Sequence, residues 1–260
     1  MAELLVWPAL LAYGEAAVAY AGNVRNPRLH YGRLATWGVR LGWLAQTALL
    51  GFQALGADGF PWSTWAGSLN LFVWLVVGAY LIWGCSPRYR LLGLGVMPLA
   101  AALLAVSYAA GGTTEAKGAA WGDVLLLLHI GLVLLSFAGF TVAGGLAALE
   151  LWQERELKSH PAGLLRHRLP SLVALDRLTV TTVAVSLAAL TAGIVPGLAR
   201  LPERGLDVLI AGTVVLWVLG ASVLYLRVRA GRRELAAVLA LGGVAAVIVL
   251  QLGLLFAHVA

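Results

Sequence analysis

Eight long apolar runs, separated by short polar and basic segments, dominate this chain of 260 residues. A helix needs about 20 mostly apolar residues to cross the hydrocarbon core of a bilayer, and each run has roughly that length. A helix also satisfies its own backbone hydrogen bonds, which lipid cannot do. The sequence therefore predicts an all-α, polytopic membrane bundle. The predicted transmembrane helices cover residues 4–22, 36–57, 68–85, 91–111, 123–149, 177–198, 207–226 and 235–258.

The composition excludes an ordinary soluble protein. Hydrophobic residues make up 61% of the chain and charged residues 12%, with a mean hydropathy of +0.88. Average soluble domains carry about 25% charged residues, so about half of the usual solvating charge is missing here. The segments between the apolar runs are too short for a soluble domain, and the chain shows no internal repeat. We therefore expect residues 1–260 to form a single transmembrane domain.

The distribution of Lys and Arg predicts the orientation in the cell membrane. Cytoplasmic loops of membrane proteins are enriched in these residues. Basic loops alternate with loops that carry few cations, so we expect the basic loops in the cytoplasm and both termini on the non-cytoplasmic side. This pattern also explains the net charge of +6 without a nucleic-acid partner. The basic loops carry Arg25, Arg28, Arg33, Arg88, Arg90, Arg155, Lys158, Arg166, Arg168, Arg177, Arg227, Arg229, Arg232 and Arg233, and the opposite loops carry Lys117, Arg200 and Arg204.

The N-terminal apolar run and the cysteine content exclude several kinds of protein and of site. No Lys or Arg precedes the first apolar run, unlike the basic start of a signal peptide, so we expect it to be a retained helix. Cys85 is the only cysteine, which excludes an internal disulfide and a cysteine-based metal site. The chain has no Cys-x-x-Cys-His motif and is therefore not itself a c-type cytochrome.

Two histidines fall within apolar runs. His129 lies about six residues inside the fifth helix from its outer end, a depth of roughly 9 Å at 1.5 Å per residue. His258 lies at the outer end of the eighth helix, so the two imidazoles can occupy similar depths. Imidazole is a good iron ligand, and axial histidines are one way in which proteins hold haem. From the residues alone, a ligand pair and two interfacial histidines that hydrogen-bond to neighbours both remain open. The other histidines fall in basic loops, where they are interpreted as solvated: His30, His160 and His167.

Aromatic and charged residues add further candidates. Trp62, Trp65 and Trp121 all fall on the predicted outer side. They can line a porphyrin-binding site, although tryptophans at this depth also form an ordinary aromatic belt at the membrane interface. Glu15 is costly within a membrane helix. It either pairs with Arg40 or a tyrosine inside the bundle, or faces a polar cavity.

A series of short motifs, in a fixed order along the chain, gives the sequence a family resemblance. They are Pro61 with Ser68-Leu69-Asn70, Leu128-His129-Ile130, Ser136-Phe137-Ala138-Gly139-Phe140, the segment 150–158, Leu169-Pro170-Ser171-Leu172, Leu175-Asp176, Ala192-Gly193-Ile194, Trp217, Arg227, Gly231-Arg232-Arg233 and His258. With these motifs the chain resembles the cytochrome c assembly membrane-protein family, of the CcsA/HemX type, over nearly its whole length.

The resemblance implies a haem-handling protein in which His129 and His258 are paired outer-side ligands of haem b. Aromatic side chains, with Trp62 and Trp65 as candidates, would then cover the macrocycle. Outer-loop cations would pair with the haem propionates, and Arg200 is the first candidate, with Arg204 and Lys117 beside it.

Departures from the family pattern refine the expected function. Members that attach haem to apocytochromes carry a tryptophan-rich external segment between the two outer histidines, whereas residues 193–202 of this chain contain no tryptophan. The intramembrane histidines of the larger synthases are replaced by Gln46 and Tyr225. The resemblance is therefore nearer to the HemX-like branch. It implies a protein that carries, stores or senses haem without catalysing bond formation.

Other functions stay open at this stage. The chain can present haem to other cytochrome c assembly proteins, or its basic loops 150–177 and 227–234 can contact a soluble enzyme of tetrapyrrole synthesis. A membrane transporter or regulator that does not bind haem, with Glu15 and Arg40 along its pathway, is the alternative of a different class. Protein that is colourless when purified and binds no added haem would favour that alternative.

Overall fold

Eight long helices account for most of the residues that the structure describes, as the sequence predicts. The computed structural model describes residues 2–25, 31–57, 59–84, 89–114, 124–159, 170–198 and 208–259. Short 3-10 helices also occur at Ala2–Leu5 and Pro61–Ser63. The eight long helices are α1 (Val6–Arg25), α2 (Tyr31–Gly56), α3 (Trp65–Gly84), α4 (Arg90–Ala109), α5 (Val124–Ser159), α6 (Leu172–Leu198), α7 (Val208–Val228) and α8 (Arg233–Val259).

Seven of the eight helices in the described part of the chain are long and apolar enough to cross a membrane. The protein is therefore a multi-pass membrane protein. The exception is α2, because Arg33, Arg40, Gln46 and Gln53 lower its hydropathy. A crossing by α2 and the orientation of the termini remain predictions.

The fifth helix is longer than its apolar run. It continues through the polar segment after Glu150 and ends at Ser159. An exposed ion pair of 3.0 Å between Lys158 Nζ and Glu154 Oε1 supports this last part, since residues four positions apart are neighbours on a helix. The predicted continuation of the fifth helix beyond the apolar run is thus observed.

The chain divides into two compact units, Met1–Leu127 and Leu128–Ala260. In the first unit α1 packs against α2 and α4, and α3 packs against the same two helices. Consecutive helices run antiparallel, so this unit is an up-and-down four-helix bundle. Its apolar core includes Tyr20, Val39, Tyr80, Met97 and Leu104. The expectation of a single transmembrane domain stays a prediction.

Small residues set the spacing between α1 and α2. A Cβ atom on Gly42 would lie 2.6 Å from Cε1 of Tyr13, and one on Gly38 would lie 3.0 Å from the carbonyl oxygen of Ala12. Small residues at such contacts let helix backbones approach closely, and close packing drives helix association in lipid.

A chain of buried amide and hydroxyl groups crosses the first unit. The Tyr13 hydroxyl donates to Gln46 Oε1 at 2.8 Å, and Gln46 Nε2 donates to Asn70 Oδ1 at 2.9 Å. Asn70 Nδ2 in turn donates to Gln53 Oε1 at 3.1 Å. All four side chains are fully buried. These bonds join α1, α2 and α3 through polar groups that lipid would leave unpaired.

Gln53 extends this network to the two loops at one end of the unit. Its Nε2 donates to the carbonyl oxygens of Gly112 at 3.1 Å and Thr114 at 3.0 Å. Its Oε1 accepts a second bond from the indole N–H of Trp62 at 3.3 Å. One side chain therefore ties the segment before α3 to the segment after α4.

The second unit contains α5 from Leu128 onward together with α6, α7 and α8. Its helices also meet at glycines. A Cβ atom on Gly220 of α7 would lie 2.7 Å from Cζ of Phe140 on α5, while Gly144 of α5 packs against Val244 of α8 and Gly212 of α7 against Leu250 of α8. Because these glycines have no side chain, the side chain of the neighbouring helix packs directly against their backbone and the helices lie close together.

Replacement of Gln53 by leucine is expected to destabilise the first unit. The apolar side chain cannot pair the groups of Asn70, Trp62, Gly112 and Thr114, and each buried group left unpaired costs about 1–3 kcal/mol. Thermal unfolding of the detergent-purified protein measures the loss. Gly51→Ala is the control on the same helix, because a Cβ there meets nothing within 4 Å. Equal unfolding temperatures for the two variants would contradict a stabilising network.

Candidate functional site

His129 is held by the end of a neighbouring helix. It lies near the start of α5 and is half-buried. Its ring atom Nδ1 lies 2.8 Å from the carbonyl oxygen of Gly193, near the end of α6. A carbonyl oxygen can only accept a hydrogen bond, so Nδ1 carries the proton and donates it. The imidazole is therefore bonded to backbone and not to another ionisable side chain through this nitrogen.

The imidazole ring also rests on Gly197, one turn beyond Gly193. A Cβ atom on Gly197 would lie 2.8 Å from Cε1 and 2.9 Å from Nδ1 of His129. These distances are shorter than a carbon atom tolerates, so only glycine leaves room for the ring in this position. Gly197 belongs to the predicted external segment 193–202, and nothing in the sequence connects it with His129.

The backbone of His258 lies at the same end of the second unit as His129. Arg227 of α7 contacts Glu150, and Gly220 of α7 contacts Phe140, so α7 runs parallel to α5. A short turn reverses the chain into α8, which ends at Val259. The C-terminal end of α8 and the N-terminal end of α5 thus share one end of the unit. The side chain of His258 is outside the described residues, and its pairing with His129 stays a prediction.

The predicted tryptophans belong to the first unit. Trp62 lies in the 3-10 helix before α3, is half-buried, and packs edge-on against Phe60 with 5.2 Å between ring centroids. Trp65 is the first residue of α3 and is also half-buried. Arg200 lies outside the described residues. A role of these three residues in holding haem stays a prediction.

Glu15 is exposed on the outer surface of α1. The expectation that it lies inside the bundle is wrong, because the helix turns Tyr13 and not Glu15 into the polar core. Arg40 lies over the indole ring of Trp37, with its Cζ 5.5 Å from the ring centroid. This contact is a cation–π interaction.

A group of charges around the buried Arg227, at the opposite end of the second unit, was not predicted as a cluster. Arg227 donates to Glu150 Oε2 at 2.7 Å and to Asp176 Oδ1 at 2.5 Å, and its side chain is only 1% exposed. Arg233 lies 3.5 Å from the other oxygen of Asp176. We call Arg227, Glu150, Asp176 and Arg233 the charge cluster. It joins α5, α6, α7 and the start of α8.

The sequence contained a weak signal for this cluster. Glu150 and Asp176 are acidic residues at the two ends of one predicted loop, each next to an apolar run. Buried ionised groups need opposite partners, so an arginine at the end of a third run was the natural candidate. Only the helix order and rotation identify which arginine it is.

A metal ion that the protein binds directly, without a porphyrin, needs several protein ligands. Within the described part of the chain, no group of three or more His, Cys, Asp and Glu side chains is arranged to hold a metal. An iron atom that is already held by a porphyrin needs only axial ligands, for which single histidines suffice.

Comparisons with known proteins point to one family. The family model described as cytochrome C assembly protein matches residues 62–259. The protein HemX of Brevibacillus brevis is 27% identical over 200 residues, which cover 75% of this chain and 74% of that protein. No solved structure matches the chain. The matched region includes α3 to α8 and therefore both predicted haem ligands.

The charge cluster is expected to make a large contribution to stability. Arg227→Met would leave the carboxylates of Glu150 and Asp176 without their buried partner, and breaking such a pair costs about 3–5 kcal/mol. Unfolding of purified protein by heat or by denaturing detergent measures this loss. Arg229→Met is the matched control, since Arg229 is exposed two residues further on. An equal, small effect of both substitutions would argue against the cluster as a stabilising element.

Proposed function

The chain belongs to the cytochrome c assembly protein family, and from this premise we propose that it is a haem-binding membrane protein that carries, stores or senses haem. Its activity is linked to cytochrome c assembly or haem synthesis. The observation that carries this proposal is His129, an imidazole near a helix end with one nitrogen bonded to the backbone. The similarity to a protein named HemX also supports this proposal.

His129 and His258 are the proposed axial ligands. The contact between Gly144 and Val244 provides a common reference level on α5 and α8. At 1.5 Å per residue, His129 lies about 22 Å and His258 about 21 Å from this level along their helices. Because α8 runs antiparallel to α5, His129 and His258 lie on the same side of this level, toward the same end of the unit. Matching depths favour two ligands on one iron.

Apolar side chains beside His129 suit a haem face. Val124, Leu125 and Leu128 lie within about one and a half turns of it on α5 and are 60%, 52% and 50% exposed. A porphyrin is a flat apolar disc with two carboxylates at one edge, so it can cover these side chains. In this proposal Arg200 pairs with a propionate.

The proposed topology has eight crossings and both termini on the non-cytoplasmic side. α2 lies between α1 and α3, both of which are long and apolar enough to span a membrane. Its contacts with them extend from Tyr31 beside Gly22 to Gln53 beside Asn70, so it traverses the same thickness. The exposed Arg229, Arg232 and Arg233 then lie at the cytoplasmic end.

A haem-independent transporter is less well supported. That alternative needs Glu15 and Arg40 along an internal pathway. Glu15 is exposed on the outside of α1, and Arg40 is exposed beside Trp37. Neither side chain lines the interior of the first unit.

An absorption spectrum of the purified protein tests haem ligation. We expect a low-spin b-type spectrum in the reduced protein, because two imidazoles produce a strong ligand field. His129→Ala and His258→Ala should each convert the haem to a high-spin form or lose it. His160→Ala, a histidine of the long basic loop, serves as the control and should leave the spectrum unchanged. Colourless protein that takes up no added haem would overturn the proposed function.

Cysteine labelling tests the topology. Cys85 is the only native cysteine, so Cys85→Ser gives a background without thiols. In this background Tyr31→Cys and Ser63→Cys flank α2, and Arg229→Cys marks the basic end. A membrane-impermeant maleimide should label Ser63→Cys in intact cells and should label the other two only after permeabilisation. Labelling of Tyr31→Cys and Ser63→Cys from the same side would exclude a crossing by α2.

A further inference from the structure

We infer that the last two turns of α6 position His129 so that Nε2 is the iron-ligating atom. This positioning device consists of the carbonyl group of Gly193 and the bare backbone of Gly197. This inference rests on the proposed function and adds the atom that ligates and the residues that orient it.

The hydrogen bond to Gly193 determines the tautomer. A neutral imidazole carries one proton, and the bond of 2.8 Å to the carbonyl requires this proton on Nδ1. The lone pair is then on Nε2, at the far side of the ring from the bonded nitrogen. Metal-ligating histidines almost always donate their other ring N–H to a carbonyl, a carboxylate or water, which fixes the ring and raises its basicity as a ligand. The geometry of His129 meets this requirement with a backbone group.

The close approach of α5 and α6 brings the carbonyl within reach. A Cβ atom on Gly193 would lie 3.1 Å from Cγ2 of Val133 and 3.2 Å from Cβ of Leu132. Glycine at this position therefore lets α6 lie directly on α5. The carbonyl of Gly193 consequently reaches a side chain that starts one turn earlier on α5.

Gly197 determines the plane of the ring. Residues four apart lie on the same face of a helix, so Gly193 and Gly197 both face α5. One supplies the hydrogen-bond acceptor and the other supplies space for the ring. A side chain on Gly197 would push Cε1 and Nδ1 of His129 away. The hydrogen bond to Gly193 would then break, and Nε2 would no longer point toward the proposed iron.

Pro196 lies between these two glycines and adds to the arrangement. α6 continues as a helix through Pro196 to Leu198. Proline has no N–H, so the carbonyl of Ala192 loses its usual partner and the hydrogen-bond ladder is interrupted. The interruption occurs next to the carbonyl that His129 uses. A helix end of this kind can offer backbone acceptors to a neighbouring helix.

Gly197→Ala tests the steric part of the device. We expect haem affinity to fall about 10–100-fold, as is typical when the group that orients a metal-ligating histidine is lost. The low-spin fraction should fall, and the reduction potential should rise, because a less basic imidazole stabilises ferric iron less. Gly131→Ala is the control, since a Cβ there meets nothing within 4 Å. A packing defect alone would lower the unfolding temperature without changing the potential of the bound haem.

Chemical rescue tests the hydrogen bond without relying on the folding of Gly197→Ala. In His129→Gly, added imidazole can donate to Gly193 and ligate iron at the same time, whereas 1-methylimidazole can only ligate. We expect imidazole to restore the low-spin spectrum at about tenfold lower concentration.

The outcomes separate this inference from the proposed function. Failure of the wild-type protein to take up haem would overturn the proposed function itself. A wild-type protein with low-spin haem, combined with equal rescue by both imidazoles and an unchanged potential in Gly197→Ala, would overturn only the positioning device.

Discussion

A bilayer supplies no hydrogen-bond partners, and this constraint explains most of the polar structure in the protein. A buried amide, hydroxyl or charge is costly there unless the protein itself supplies a partner. The first unit meets the constraint with neutral groups, which run from Tyr13 through Gln46 and Asn70 to Gln53. The second unit meets it with ions at one end and an imidazole at the other. Helix packing and helix register follow from these pairings as much as from apolar contact.

Run length and charge were enough to predict the helices. All eight predicted helices are present, because hydrophobic length is a strong and local signal. The interior of the bundle was harder to predict. Gln53 bonds to residues on two distant loops, and nothing in the sequence near Gln53 indicates those partners. The expectation for Glu15 was wrong for a related reason, since a helix with apolar residues on all sides gives no indication of which face points inward.

The candidate site was only partly visible in the sequence. His129 could be found because an ionisable residue inside an apolar run is unusual. Its partner could not be found, because the acceptor is a backbone carbonyl and every residue has one. Gly197 and Pro196 are likewise ordinary residues of a membrane helix until the neighbouring helix is known. A histidine can therefore be recognised from sequence, whereas the environment that orients it depends on the fold.

The glycine contacts of the second unit have a consequence for how such a protein can diverge. A lipid-facing leucine or valine can be exchanged for almost any apolar residue, since a fluid acyl chain adapts to its shape. A single added methyl group at Gly144, Gly212 or Gly220 would instead meet Val244, Leu250 or Phe140 on the next helix. Substitutions on the lipid-exposed surface thus change the stability of the bundle little, whereas substitutions at a few interior glycines would destabilise it strongly. Two chains can differ at most of their positions and still assemble the same bundle.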